Sequence, residues 1–119
     1  MCKKSNATIS ELSNAANDGN AHAQLIFGWS YAAKSNENKN YEEAIKWLTR
    51  AANSGLQEAQ FRLAIVYLMK RNIVGIGILN QLDYNGYSPA TYELGNCFYT
   101  GLCVDRDELL GVKFWEKSQ

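Results

Sequence analysis

The side chains able to do chemistry are few and scattered. His22 is the sole histidine, and the helix start it occupies brings no second ligand into register, so it reads as a surface cap rather than a metal or catalytic group. Cys2, Cys97 and Cys103 show no C-x-x-C spacing, which makes neither a disulfide framework nor a zinc site. Free thiols in a reducing compartment are the expectation. Glu42-Glu43 and Asp107-Glu108 could pair as acid and base, but each pair opens a helix, where the macrodipole favours carboxylates. Asn6-Ala7-Thr8 matches a glycosylation sequon, which carries no meaning in a cytoplasmic or bacterial chain. Phosphate-binding loops, nucleophile elbows and dinucleotide fingerprints do not occur in the sequence. The residues therefore predict no enzyme, no metal and no cofactor.

Composition describes the scaffold. In 119 residues, 12 Lys and Arg balance 12 Asp and Glu, which argues against electrostatic binding to nucleic acid. A hydrophobic fraction of 46% with a single proline suits one folded domain over 1–119. Apolar runs such as 73–79 are far shorter than the roughly 18 residues of a membrane span, so membrane insertion is not expected. The first residues lack a signal peptide's apolar stretch, and the expected location is cytoplasmic. Met1-Cys2-Lys3-Lys4-Ser5 also resembles a bacterial lipoprotein whose signal has been replaced by a start Met, so a lipid-anchored periplasmic protein is the alternative.

Self-similarity is the strongest signal. A shift of 36 positions places Ala16, Gly19, Ala23, Gln24, Gly28 and Tyr31 onto Ala52, Gly55, Ala59, Gln60, Ala64 and Tyr67. A further shift of 31 places Gly55, Ala59, Leu63, Ala64 and Tyr67 onto Gly86, Ala90, Leu94, Gly95 and Phe98. The second unit is thus five residues shorter, all between Tyr67 and Gly75. Large residues recur at helical spacing, and small ones fall where two helices must approach closely. Gly19, Gly55 and Gly86 suit helix ends. Ser88-Pro89 suits a cap and first turn, and Asn40 with Glu43 and Asp107 suit caps of second helices. The reading is of helices at roughly 6–17, 21–34, 41–53, 57–70, 73–84, 88–100 and 107–118. The fifth is the least regular, because 73–79 mixes two glycines with β-branched residues. Its register with 44–48 favours helix.

Ala16…Gly19…Ala23-Gln24…Phe27-Gly28…Tyr31, Ala44…Trp47…Ala51-Ala52 and Gly55…Ala59-Gln60…Leu63-Ala64…Tyr67 resemble the Sel-one-like repeat, a relative of the tetratricopeptide repeat. The last unit adds Gly101-Leu102-Cys103-Val104-Asp105-Arg106-Asp107 and Gly111…Phe114-Trp115-Glu116-Lys117. The resemblance implies an all-α, right-handed solenoid of antiparallel helix pairs, with a half repeat over 5–18 and repeats over about 19–54, 55–85 and 86–118. It also implies a role in protein interaction and no reaction. The second unit departs from the pattern with no inter-helix loop, Ile78 in place of Trp47, and Leu82-Asp83 in place of Ala51-Ala52. Some cysteine-rich relatives bridge their paired helices, but the first two units lack the necessary cysteine pair.

In such solenoids the first helix of each unit lines the concave face. The side of that helix away from position 27 carries His22, Leu25, Trp29 and Ala32 in one unit. The next carries Glu58, Phe61, Ile65, Leu68 and Met69, and the last Tyr92, Asn96 and Tyr99. A solvated face would be Lys, Glu and Gln, so this apolar stripe is expected to be covered. The expected partner-binding residues are Leu25, Trp29, Phe61, Ile65, Leu68, Tyr92, Asn96 and Tyr99, with the aromatics as anchors. Functionally the sequence suggests a non-catalytic module that holds a protein partner in this groove as adaptor, regulator or inhibitor. One specific version is an immunity protein neutralising a co-encoded bacterial toxin. The competing reading is structural: a weak homodimer rather than a monomer, or a piece of a longer array whose further helices cover the stripe.

Overall fold

Turn chemistry at three glycines divides the chain. Gly19, Gly55 and Gly86 have φ of +95°, +92° and +85°, the left-handed conformation that ends a helix without a Cβ penalty. At the first, the Gly19 N–H donates to Ala16 O and the Asn20 N–H to Ala15 O, both at 3.1 Å. Asn20 then opens the following helix, its side chain accepting from the Ala23 N–H at 2.9 Å. The same closure recurs where Gly86 and Tyr87 donate to Asp83 O and Leu82 O at 2.9 Å each.

A computed structural model describes residues 8–33 and 40–119. Regular structure among them is helical: α1 (Ile9–Asn17), α2 (Ala21–Ala32), α3 (Tyr41–Asn53), α4 (Gln57–Met69), α5 (Val74–Tyr84), α6 (Ser88–Thr100) and α7 (Glu108–Lys117). The ambiguous run at 73–79 is helical from Val74, whose N–H donates to Asn72 Oδ1 at 2.9 Å. Asn40 and Asp107 cap α3 and α7, accepting from the Glu43 and Leu110 N–H groups at 3.1 Å. One cap differs from expectation. Tyr87 precedes α6, so Ser88 and Pro89 lie inside the first turn, where the missing proline N–H has no helical partner to lose.

Small residues set how closely the helices approach. A Cβ on Gly28 would lie 2.8 Å from Trp47 Cβ, and one on Gly111 would lie 2.8 Å from Gly95 O. These contacts bring α2 against α3 and α6 against α7. Between α4 and α5 the close approach is made by buried Ala64 and by Gly75, where a Cβ would meet Ala64 O at 2.7 Å. Gly75 stands in register with Ala44 and Gly111, which explains why this run follows the helical pattern despite its β-branched residues.

Each helix packs on its neighbours in chain order, and α2 also meets α4. The stack extends 49 × 30 × 29 Å with a radius of gyration of 15.7 Å, above the ~13–14 Å of a compact domain this long. Its core is a series of clusters rather than one centre. Leu48, Ala51 and Val66 anchor one, and Leu79, Leu82 and Leu94 another. Phe27 and Trp47 meet edge to face at 5.2 Å in a third.

A polar staple joins successive units. Buried Gln24 donates through Nε2 to Ala16 O at 3.1 Å, and Gln60 to Ala52 O at 3.4 Å. In the last unit Thr91 takes the glutamine position and its hydroxyl donates to Asp83 Oδ1 at 2.5 Å. Lys117 lies 3.0 Å from the same carboxylate, so Asp83 ties α5, α6 and α7 together.

Candidate protein-interaction surface

The three copies of the apolar stripe have different surroundings. In the first, Leu25 and Trp29 are partly buried against the core cluster shared by α3 and α4, and Ala32 is fully buried. Arg62 of α4 lies over the Trp29 ring at 4.7 Å, held by Glu58 Oε2 at 2.9 Å from its Nε. Guanidinium stacking on indole adds an attraction beyond area. Leu25, Ile26, Trp29, Glu58 and Arg62 line a cleft of about 260 Å³.

In the second copy, Phe61 meets the Tyr87 ring at 5.8 Å, and the Tyr87 hydroxyl donates to Glu58 Oε1 at 3.1 Å. Burial raises the Tyr87 pKa above the usual phenol value, and the Glu58 hydrogen bond and charge add to it. Ile65 is partly buried against the second core cluster. Leu68, expected to face a partner, is 4% exposed and belongs to the same core cluster as Ile76 and Leu79 of α5. Only an edge of it reaches a cleft of about 320 Å³ with Tyr41, Ile65, Met69, Arg71, Glu93 and Leu102.

The third copy is open. Tyr92 is 51% and Tyr99 38% exposed, and Asn96 between them is half-buried. Trp115 from α7 fills the gap, 6.3 Å from the Tyr92 ring and 4.9 Å from the Tyr99 ring. Its indole N–H donates to Asn96 Oδ1 at 3.0 Å. The lack of a side chain at Gly95 admits it, since a Cβ there would lie 2.4 Å from Trp115 Cδ1. Trp115 was not among the expected site residues. Its signal was the pairing of a small residue at Gly95 with a large one on the partner helix.

Leu25, Trp29, Phe61, Ile65 and Leu68 thus serve largely as seats for the next unit, while Tyr92, Asn96 and Tyr99 have no further unit above them in the described residues. The expected continuous groove is broken by Arg62, Glu58 and Tyr87.

A different cleft, of about 590 Å³, opens between α3 and α5 over α4, lined by residues that include Leu63, Gly77, Ile78 and Gln81. It lies on the second helices, which the stripe argument did not consider. Its signal was the second unit's lost loop and the uncharged residues Val74, Gly77, Ile78 and Gln81 along one side of α5.

The chemically capable residues have structural surroundings. Glu42 lies 3.6 Å from Lys70, Glu43 accepts from Trp47 Nε1 at 3.2 Å, and Glu108 pairs with Arg106. His22 is exposed in the first turn of α2. Cys97 is 1% exposed, and burial, with smaller contributions from Glu93 and Cys103, pushes its thiol up to about 11. A thiol so buried is protonated at neutral pH and inert. Cys97 and Cys103 are both free. Among the described residues no group of three His, Cys, Asp or Glu could hold a metal, and no helix is long and apolar enough to cross a membrane. Cys2 and Asn6 lie outside the described residues.

A stack of helix pairs sharing one register, with side-chain staples between units, defines a helical-repeat protein. The Sel1 repeat family model matches residues 35–56, 57–71 and 88–118, and the chain belongs to that family. It is similar in structure to a Sel1 repeat protein from Oxalobacter formigenes, with TM-score 0.73 and 22% identity over 96% of this chain and 91% of that one. A protective antigen present in uropathogenic Escherichia coli strains, displaying an SLR fold, is also similar, with TM-score 0.69 and 26% identity. That match covers 92% of this chain but only 25% of the antigen. No curated protein matches the sequence.

Proposed function

We propose that this chain is a non-catalytic protein-interaction module that holds a protein partner on the aromatic surface of α6 and α7. Sel1-repeat proteins are typically interaction modules. The observation that carries the reading is the exposure of Tyr92 and Tyr99, 51% and 38%, at positions whose earlier counterparts are covered. Trp115 braces both rings, so little side-chain entropy remains to be lost on binding. Tyrosine and tryptophan are the residue types that most often dominate binding energy. Leu25, Trp29, Phe61 and Ile65 form the rigid floor behind this surface. An adaptor, a regulator and an inhibitor such as an immunity protein would all use it in the same way.

The test is capture of a partner from the source cell, repeated with Tyr92→Ala/Tyr99→Ala. The double variant is expected to melt like the parent and lose the captured protein. Retained capture by a folded double variant overturns the reading. A second reading, self-association through the same surface, is favoured by the exposure of the Tyr92 and Tyr99 rings side by side with Trp115. Light scattering across a concentration series separates the two, since self-association raises the apparent mass of the isolated chain and Tyr92→Ala/Tyr99→Ala reverses it.

A further inference from the structure

The cleft between α3 and α5 is built differently from the aromatic surface. Its floor is apolar, formed by Leu63 of α4 and by Val74, Gly77 and Ile78 of α5. Its rim is a set of primary carboxamides: Asn53, Gln60, Gln81 and Asn85. No charged side chain lines it.

The repeat register shows how unusual this is within the chain. Val74, Gly77 and Gln81 stand where the first unit has Glu43, Lys46 and Arg50, and where the last has Leu110, Lys113 and Lys117. In the first unit Lys46 and Arg50 lie over the Trp47 ring at 5.4 and 4.7 Å. The second unit has removed both cations and replaced the tryptophan by Ile78. The result is an opening of about 590 Å³, within the roughly 300–1,000 Å³ usual for ligand sites.

Carboxamides carry the same donor and acceptor groups as a peptide unit, in one plane. Gln81 on α5 and Asn85 at its C-terminal cap are four apart, in line with Gly77. Asn53 closes the opposite wall at the end of α3. The side chains of Asn53, Gln81 and Asn85 are exposed and make no hydrogen bond to the described protein, while Gln60 is anchored by its 3.4 Å bond to Ala52 O. An uncharged apolar floor inside a ring of peptide-like amides matches one chemistry, an apolar side chain flanked by peptide groups. A charged group would be desolvated there without a counter-ion.

We infer that the α3–α5 cleft is a second binding site, which takes an uncharged, extended segment of a protein partner and seats one aliphatic side chain on Leu63 and Ile78. The rim carboxamides pair with the N–H and C=O groups on either side of that residue. This site is separate from the aromatic surface and does not depend on it.

The probe is N-acetyl-leucine N-methylamide, a leucine side chain with one peptide unit on each side, titrated into the whole chain labelled with nitrogen-15. The expected result is saturable shifts of the Asn53, Gln60, Gln81 and Asn85 side-chain amides and of the Gly77 N–H, with millimolar affinity for so small a ligand. Gly77→Leu fills the cleft and is expected to weaken binding by at least about tenfold. An added Cβ at Gly77 meets no atom within 4 Å, so this variant is expected to fold, and an unchanged amide spectrum elsewhere checks that it does. Gln81→Arg restores the first unit's charge and is expected to weaken binding as well. Absence of these shifts, shifts confined to Tyr92 and Trp115, or equal binding by folded Gly77→Leu overturns the inference. Equal affinity for 3-methylbutan-1-ol, which has the same side chain and no peptide group, also overturns it by showing a site for small apolar molecules.

Discussion

Trp115 donates its indole N–H to Asn96 Oδ1 across 3.0 Å, linking α7 to the copy of the stripe that exposes Tyr92 and Tyr99. The bond fixes the ring between Tyr92 and Tyr99 and makes a stiff surface of side chains that would otherwise be mobile. Trp115→Phe keeps an aromatic ring and removes the donor. It is expected to cost about 0.5–1.5 kcal/mol. A double-mutant cycle with Asn96→Ala, read by urea unfolding, should show coupling of similar size. Additive effects would place the indole elsewhere.

Two glycines in the same fold should respond with opposite sign. Gly28→Leu drives a side chain into Trp47 Cβ and Leu48, with an expected loss of at least about 1–3 kcal/mol from overpacking. Gly77→Ala meets open space and gains helix propensity, so it should stabilise by up to about 1 kcal/mol. Thermal unfolding of the two variants beside the parent checks both.

Leu68 and Tyr92 were expected on one face, but they lie in different environments. Leu68→Ala opens a cavity in a cluster where the residue is 4% exposed and should cost about 2–5 kcal/mol. Tyr92→Ala, at 51% exposure, should change stability by no more than about 1 kcal/mol. Its effect should appear instead as about 2 kcal/mol of lost partner affinity. Equal melting losses would show that Tyr92 is core.

The Cys97 thiol should leave a signature at high pH. Burial raises its pKa from an ordinary 9.0 to about 11, so the folded chain holds this proton more tightly than the unfolded one. The associated stability is complete below pH 9 and is lost as pH rises toward about 11. The unfolding free energy measured across that interval should fall less steeply in Cys97→Ala than in the parent. A thiol reagent at pH 8 should modify Cys103 in the folded chain and reach Cys97 only on unfolding.

The helices and their order were legible because their determinants are local. Gly19, Gly55 and Gly86 set the ends, Asn40 and Asp107 the starts, and the recurrence of Ala, Gly and Leu at fixed spacing identified the faces that pack in pairs. Even the ambiguous α5 followed from register, since Gly75 occupies the place of Ala44 and Gly111. The cap at Tyr87 was less legible, because a serine before a proline satisfies the same local rule one residue later.

By itself the sequence determined the helical period, the pair grammar and the family, all of which depend on residues within one or two units. Only the tertiary structure decided which positions of the apolar stripe are covered by the chain itself. A hydrophobic position on a helix looks the same in sequence whether its cover is a partner or the next unit of its own chain. Arg62 over Trp29, Tyr87 against Phe61 and the α5 residues beside Leu68 are non-local contacts that cover those three positions of the first two copies. The third is left open with Trp115 beside it. The α3–α5 cleft is likewise a product of packing, since Gly77 opens space only because the helices on either side leave it unfilled.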